Sequence, residues 1–294
     1  MSISTGNAMK KFVVIFILLG CLLTGCTKKE SAQLAATTLP VWEFTTALCE
    51  GSGISVARIV TENVSCLHDY TLQISQMRAV ENADAVICSG LGLEGFLEDV
   101  LSSADCVIDA SGGITPFCAD EHSHEEHHHE HDPHIWLSPE NAKQMCRSIC
   151  DGLCDLYPDY RDLFKENLIG LITKLDNLQT YGESSLKELS CRDLITFHDG
   201  FRYFAESFHL TILKAVEEES GSEASAQELV ELIGLVEDQN LPAVFTERNG
   251  ATAAAEIIAK ETGVKIYALD MAMAGESYFD AMYHNIDTIK EALG

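Results

Sequence analysis

The chain has 294 residues, of which 46 are acidic and 19 are Lys or Arg, so its formal net charge is −27. This length allows one large domain or two of ordinary size, and the 46% hydrophobic content is enough for packed cores. The acidic balance argues against nucleic acid as a partner, because DNA binding needs clustered Lys and Arg, and it suits a protein that handles cations. Six of the eleven histidines lie between His122 and His131.

The N-terminal segment resembles the signal of a bacterial lipoprotein. Two lysines precede the apolar run Phe12–Leu23, which is too short for a typical membrane-spanning helix but fits a signal-peptide core. The run leads into Leu23-Thr24-Gly25-Cys26, which is similar to the lipobox where the peptidase cuts before the Cys and the sulfur carries the lipid. We predict a signal peptide over 1–25 and a polar tether over 26–36; the alternative is an ordinary secretory signal with an incidental Cys26.

Beyond the tether, short β-rich runs alternate with helical patterns, which predicts an α/β fold with mainly parallel sheets. The expected strands of the first half are Ile54–Val60, Ala85–Ser89 and Val107–Asp109. Ser138-Pro139-Glu140 is a good helix start, with an N-cap Ser and Pro at the first helical position, and this helix should stop before Pro158.

Tyr160–Leu189 carries the longest helical pattern and predicts a linking helix within residues 158–189. A second α/β half follows. Its expected elements are strands Leu194–Phe197, Ala243–Thr246 and Val264–Leu269, and helices Leu229–Asp238 (after the capping box Ser225–Glu228), Thr252–Thr262 (before Gly263) and Tyr278–Leu293. The prediction is two lobes, 37–157 and 190–294, joined by one long helix, with a metal cleft between them.

The cysteines do not form a recognisable metal or redox motif. Without Cys21 of the signal and Cys26 of the lipobox nine remain, so they cannot all pair within the chain, and no CxxC pair occurs. Cys146, Cys150 and Cys154 recur every four residues in a predicted helix and therefore share one face. We interpret them as small apolar core residues; a soft metal clamp is the alternative.

Four side chains of metal-ligating types lie beside predicted elements. His198 and Asp270 follow strands, and ligands in open α/β sheets bind beyond the carboxyl ends of strands. His134 leads into the capped helix, and His68 follows the strand that ends near Val60. A cleft could bring three imidazoles and one carboxylate together as a four-coordinate zinc site. Any one of these residues alone is more often structural or solvated, and spacing alone does not assemble the site.

Longer motifs run through the mature chain, and Asp132-Pro133-His134-Ile135-Trp136-Leu137-Ser138-Pro139 is the most specific of them. The others are Thr37–Val41 at the first strand, His68-Asp69-Tyr70, Ala83–Val86, Gly90–Glu94, Phe197–Phe204, Phe245-Thr246-Glu247 and Ala268-Leu269-Asp270. With these motifs the chain resembles the cluster A-I (ZnuA-like) solute-binding lipoproteins of zinc and manganese ABC transporters. The resemblance implies two α/β lobes bridged by a long helix, and its metal ligands fall on His68, His134, His198 and Asp270.

The resemblance also bears on the choice of metal. In the family, His at the position of His198 goes with zinc and a carboxylate there goes with manganese, which agrees with the preference of zinc for imidazole. Asp69 and Met271 stand where the family more often has Glu and Pro, which affects local loop geometry. The insert Glu121–His131 sits where zinc-type members carry a His-rich loop and predicts a low-affinity zinc collector; a solvated acidic loop is the alternative. The auxiliary candidates are His122, His124, His127, His128, His129 and His131.

The sequence therefore predicts a non-enzymatic, monomeric, extracytoplasmic protein, held to the membrane by lipid on Cys26, that captures Zn²⁺ and delivers it to an ABC-transporter permease. The alternatives are a manganese-binding member of the same family, an exported zinc hydrolase, or a surface adhesin or zinc buffer. A catalytic zinc keeps an open coordination position, whereas four protein ligands close the site and favour carriage.

Two further motifs match known signatures in an unsuitable context. Residues 90–95 read GxGxxG after a strand, the dinucleotide fingerprint, but the family resemblance accounts for them. Residues 124–128 read HExxH, the signature of zinc proteases, but that motif needs an amphipathic helix and here both flanks are polar. We predict neither dinucleotide binding nor proteolysis.

Overall fold

The protein is described by a computed structural model that covers residues 32–62, 67, 70–102, 104–118, 131–216 and 224–294. Two four-stranded parallel sheets carry the fold, and helices pack on their faces. Within the described residues, no helix combines the length and apolar character needed to cross a bilayer.

The first sheet has the strand order β2-β1-β3-β4. Its strands are β1 (Leu34–Ala36), β2 (Val56–Arg58), β3 (Ala85–Cys88) and β4 (Val107–Asp109). Its helices are α1 (Leu39–Leu48), α2 (Ile74–Glu81), α3 (Glu98–Leu101) and α4 (Pro139–Leu156). The N-cap of α4 is Ser138, whose Oγ accepts a hydrogen bond from Asn141 N, with Pro139 at the first helical position as predicted.

The second sheet repeats this plan with the order β6-β5-β7-β8. Its strands are β5 (Asp193–Thr196), β6 (Thr211–Ala215), β7 (Ala243–Glu247) and β8 (Lys265–Leu269). Its helices are α6 (Arg202–Ser207), α7 (Ala226–Gln239), α8 (Ala253–Thr262) and α9 (Tyr278–Leu293). The predicted capping box opens α7, and Gly263 in the left-handed conformation ends α8.

Helix α5 (Arg161–Ser185) runs alongside elements of both lobes. In its first half, the side-chain amide of Asn167 donates to the carbonyls of Leu48 and Glu50, each at 2.9 Å. In its second half, Tyr181 Oη donates to Asp287 Oδ1 of α9 at 2.6 Å. The first half of this long helix is therefore bonded to the first lobe and its second half to the second lobe.

One buried apolar cluster continues from the first lobe into the second. It contains Leu34 and Ile87 of the first sheet, Phe164 of α5, and Phe245 and Leu269 of the second sheet. Cys146, Cys150 and Cys154 all lie in this cluster as unpaired thiols, and burial raises the pKa of Cys150 to about 12. The interpretation of these three cysteines as core residues is confirmed, because all three are buried among the apolar side chains of this cluster.

Several element boundaries differ from the prediction at the start of the chain. The tether was predicted to reach Ala36, but Leu34–Ala36 form β1, the central strand between β2 and β3. Thr37–Val41 was placed at the first strand, yet α1 already begins at Leu39. A three-residue strand shows no period of its own, which is why the pattern missed it.

Candidate metal centre

Three polar side chains lie at the carboxyl ends of adjacent strands in the second sheet. His198 comes two residues after β5, Glu247 is the last residue of β7, and Asp270 follows β8 directly. Because parallel strands end at one edge of the sheet, this edge gathers side chains from three separate segments, as is usual for open α/β sheets.

His134 approaches the same place from the first lobe. It precedes the short 3-10 turn Ile135–Leu137. The backbone N of His134 donates a hydrogen bond to Asp132 Oδ1 at 3.0 Å, and the Nδ1 of its ring lies 2.9 Å from the same oxygen. The carbonyl of Asp132 in turn accepts from Tyr203 Oη at 2.9 Å. The imidazole is thus held at its δ nitrogen, and its ε nitrogen points away from this support.

The two histidines meet through their ε nitrogens. His134 Nε2 lies 3.4 Å from His198 Nε2, and the rings are nearly perpendicular. His198 Nδ1 faces Glu247 Oε2 at 3.5 Å. Two imidazoles bound to one tetrahedral zinc, with Zn–N of about 2.0–2.1 Å, place their nitrogens about 3.3 Å apart. The observed separation matches that geometry.

Close packing around Gly200 keeps the two rings together. A Cβ atom at this position would lie 2.8 Å from His198 Cδ2, 3.1 Å from His134 Cδ2 and 2.5 Å from Met271 Cε. A side chain at this position would therefore have to displace the end of Met271 and the ring of His198.

Glu247 is almost completely buried, at 5% exposed. Burial raises its pKa to about 8, and the nearby negative charge of Asp270 adds to the shift. Its Oε2 lies 3.5 Å from His198 Nδ1, so a positive charge on that imidazole would stabilise the ionised form of Glu247.

Asp270 is held on both its backbone and its side chain. The side-chain amide of Asn285 bonds to the backbone N and carbonyl of Asp270, each at 2.7 Å. Ala272 N donates to Oδ1 at 2.8 Å, and Arg248 Nη1 donates to Oδ2 at 3.1 Å. These contacts leave little freedom for the carboxylate.

The loop after Asp270 is bonded to the first lobe. Trp136 Nε1 donates to the carbonyl of Met271 at 2.7 Å, and Leu39 N donates to that of Met273 at 3.2 Å. Tyr278 Oη donates to the carbonyl of Trp136 at 2.8 Å. Hydrogen bonds thus cross between the lobes beside the candidate site.

The remaining predicted site residues lie almost entirely outside the part of the chain that the structure describes. His68, the insert residues 121–130 and Cys26 lie outside the described residues. His131 is described and pairs in an isolated bridge with Cys118 at the base of the insert. Within the described ranges, no group of three or more His, Cys, Asp or Glu side chains converges closely enough to hold a metal by itself.

His209 and His284 were not among the predicted ligands, and the structure places both away from the histidine pair. His209 lies in a turn with a φ of 57°, and His284 Nε2 lies 3.2 Å from the carbonyl of Ala268. Conversely, Glu247 had no predicted role, although it ends the motif Phe245-Thr246-Glu247. Its position as the last residue of a predicted strand was the available signal.

The GxGxxG segment does not present a phosphate site. The buried carboxylate of Glu94 accepts hydrogen bonds from the backbone N of Ser89 at 2.7 Å and of Gly90 at 3.1 Å, and from Thr37 Oγ1 at 2.7 Å. The amides that a dinucleotide phosphate would need are therefore already bonded to the side chain of Glu94. The HExxH segment, 124–128, lies outside the described residues.

Comparison with known proteins identifies the family. A family model described as the periplasmic component A of the zinc-uptake complex (ZnuA) matches residues 34–292. The chain belongs to this family. ZnuA-family proteins are transport components rather than enzymes, so the hydrolase alternative is set aside.

Individual ZnuA-family relatives agree with this assignment. The chain is 29% identical to a protein of Treponema pallidum (strain Nichols) that is named as a metal-binding protein. The match covers 95% of this chain and 93% of that protein. The chain is 27% identical to the zinc-binding lipoprotein AdcA of Streptococcus pneumoniae (strain ATCC BAA-255 / R6), covering 96% of this chain but only 61% of AdcA. A crystal structure of ZnuA superposes with a TM-score of 0.78 at 30% identity, covering 89% of this chain and 99% of that one. The predicted fold of two parallel-sheet lobes with a long helix is thereby confirmed.

Proposed function

We propose that this protein captures Zn²⁺ between its two lobes outside the cytoplasm and delivers it to the membrane permease of an ABC transporter. The observation that carries the proposal is the 3.4 Å separation between the Nε2 atoms of His134 and His198. Family membership and the zinc-binding name of AdcA supply the transport context.

The electrostatics of the histidine pair support a cation between the two rings. Asp132 Oδ1 lies 2.9 Å from Nδ1 of His134, so the tautomer with the proton on Nδ1 is favoured in that ring and its Nε2 lone pair is directed at His198 Nε2. His198 Nε2 is 3.4 Å from that lone pair, and a zinc ion between the two nitrogens would be bound by both. Carboxylates that orient metal-binding imidazoles in this way also raise their basicity as ligands.

Two further ligands complete the proposed site. Asp270 lies at the same sheet edge, and its neighbour Met271 packs against the site through the space at Gly200. His68 is proposed from the sequence motif alone. Three imidazoles and one carboxylate would close the coordination of zinc, and imidazole-rich sites favour zinc over manganese.

The cellular placement and the insert also remain proposals. The Leu23–Cys26 motif supports cleavage before Cys26 and lipid attachment to its sulfur, and we propose a monomer anchored in this way. Cys26→Ser should abolish the lipid, which mass spectrometry of the membrane-bound protein detects. Absence of lipid on Cys26 in the unsubstituted protein would contradict the anchor. We propose that the insert 121–131, which carries six histidines, binds further zinc more weakly than the cleft.

Isothermal titration of variants separates the cleft from the insert. His198→Ala should abolish the tight zinc equivalent and keep the weak ones, whereas deletion of 121–131 should do the reverse. His284→Ala is the matched control, because this imidazole contacts a backbone carbonyl away from the pair. Loss of tight binding in the deletion, with full retention in His198→Ala, would make the insert the principal site. Competition with manganese tests metal choice, and a manganese preference would overturn the zinc assignment.

Zinc binding should also depend on pH. A free imidazole has a pKa of about 6.5, so protons compete with the metal as the pH falls below this value. Affinity measured by competition titration should therefore decrease from pH 7.5 to pH 5. An affinity that stays constant over this interval would contradict a site dominated by histidine.

A further inference from the structure

Both carboxylate oxygens of Asp270 already have hydrogen-bond donors. Oδ1 accepts from the backbone N of Ala272 at 2.8 Å, and Oδ2 forms an ion pair with Arg248 Nη1 at 3.1 Å. Arg248 directly follows β7, and its own backbone N donates to the carbonyl of Leu269 at the end of β8. A metal that binds Asp270 must therefore share the carboxylate with a donor or displace one.

The two donors differ in their freedom to leave. Ala272 is fully buried, and the carbonyls on both sides of it are bonded to Trp136 Nε1 and to Leu39 N of the first lobe. The backbone N of Ala272 is therefore held in place. The side chain of Arg248 is 59% exposed and can swing into solvent at little cost. Arg248 is the partner that a metal would displace.

We propose that Arg248 lowers the affinity of the site for Zn²⁺ by competing for Asp270 Oδ2. This inference rests on the proposed function, since it takes Asp270 as a zinc ligand. The guanidinium leaves as the metal arrives and returns as the metal departs, so it favours release. Arg248 thus makes the site bind Zn²⁺ less tightly and release it more readily.

The size of the effect follows from the exposure of the pair. Exposed ion pairs favour their paired state by up to about fivefold. Arg248→Gln should therefore bind zinc about two- to fivefold more tightly than the unsubstituted protein and release it more slowly. Salt screens exposed charges, so the ratio of the two affinities should approach one as ionic strength rises toward 1 M. A purely structural role of Arg248 would instead predict weaker binding on substitution.

The test is a double-mutant cycle on the full-length protein with zinc and a chromophoric zinc chelator. The four proteins are the unsubstituted one, Arg248→Gln, Asp270→Asn and the double variant. Tighter binding in Arg248→Gln that disappears in the Asp270→Asn background supports the proposal. Equal or weaker binding in Arg248→Gln overturns it, and so does an equal gain in both backgrounds.

Lys265→Gln is the matched control, because it removes the same charge from the opposite end of β8. Its affinity should equal that of the unsubstituted protein, and a gain as large as that of Arg248→Gln would show a general charge effect and overturn the proposal. Failure of the proposed function gives a different result, because the unsubstituted protein would then bind no zinc tightly. Stopped-flow transfer of zinc to the chelator measures release, and faster release from Arg248→Gln also overturns the proposal.

Discussion

Gly200→Ala tests whether the two imidazoles act as a pair. The added Cβ would meet His198 Cδ2 at 2.8 Å, His134 Cδ2 at 3.1 Å and Met271 Cε at 2.5 Å. Contacts below 3.0 Å require one partner to move. Met271 Cε is the end of a flexible side chain and can move aside, whereas His198 Cδ2 moves only with its whole ring, so the His198 ring has to shift. That movement separates the two Nε2 atoms from the spacing that one metal ion needs.

The magnitude follows from overpacking of a close contact. An extra methyl group in a packed site costs about 1–3 kcal/mol. The cost falls on zinc binding because zinc requires both Nε2 atoms at the spacing that the shifted His198 ring no longer provides. A cost of this size corresponds to a dissociation constant about 5- to 150-fold higher, because 1.4 kcal/mol is a factor of ten.

The assay is competition titration with zinc, together with urea unfolding of the protein without zinc. Gly170→Ala in α5 is the matched control, because nothing lies within 4 Å of its added Cβ. It should leave zinc affinity unchanged and increase the free energy of unfolding by about 0.5–1 kcal/mol, since glycine is unfavourable inside a helix. Zinc affinity of Gly200→Ala equal to that of the unsubstituted protein would refute the paired-imidazole site.

Three further predictions concern stability. Burial raises the pKa of Glu94 above its ordinary 4.5. At a pH between the two values the folded chain holds a proton that the unfolded chain releases. The free energy of unfolding therefore falls as the pH rises through this interval. In urea unfolding, the stability of the unsubstituted protein relative to Glu94→Gln should therefore increase from pH 7 to 4.5; a constant difference would contradict this. Tyr278→Phe leaves the buried carbonyl of Trp136 without its donor and should cost about 1–3 kcal/mol of unfolding free energy, whereas no loss would mean that the carbonyl is solvated. Gly182→Ala would place a Cβ 2.2 Å from the ring of Phe208 and should lower the thermal midpoint by several degrees, which calorimetry measures and an unchanged midpoint would refute.

The second lobe followed its sequence closely because its local signals agree with one another. The capping box at Ser225, the stop at Gly263 and the final helix Tyr278–Leu293 all lie where the pattern placed them. Strand β6, Thr211–Ala215, was missed because as an edge strand it is only half buried and shows no clear apolar period. Local chemistry predicts an element well when propensity, capping and burial all act on the same few residues.

The candidate site was only partly predictable, because its geometry is a tertiary property. His134, His198 and Asp270 were recognisable from their motifs and from their places beside structural elements. The contacts of Glu247 with His198 and of Arg248 with Asp270 join residues 49 and 22 positions apart in the chain. No local period connects such residues, so these roles become visible only when the strands are set side by side.

The hydrogen bonds that cross between the lobes also bear on how the protein unfolds. The loop after Asp270 is bonded to Trp136 and Leu39, and a single apolar cluster includes residues of both sheets. Separating the lobes would therefore expose core surface and unpaired backbone groups together. We expect one cooperative calorimetric transition rather than two, with the amide of Leu39 among the last to exchange its hydrogen. The two lobes would then unfold together as one cooperative unit.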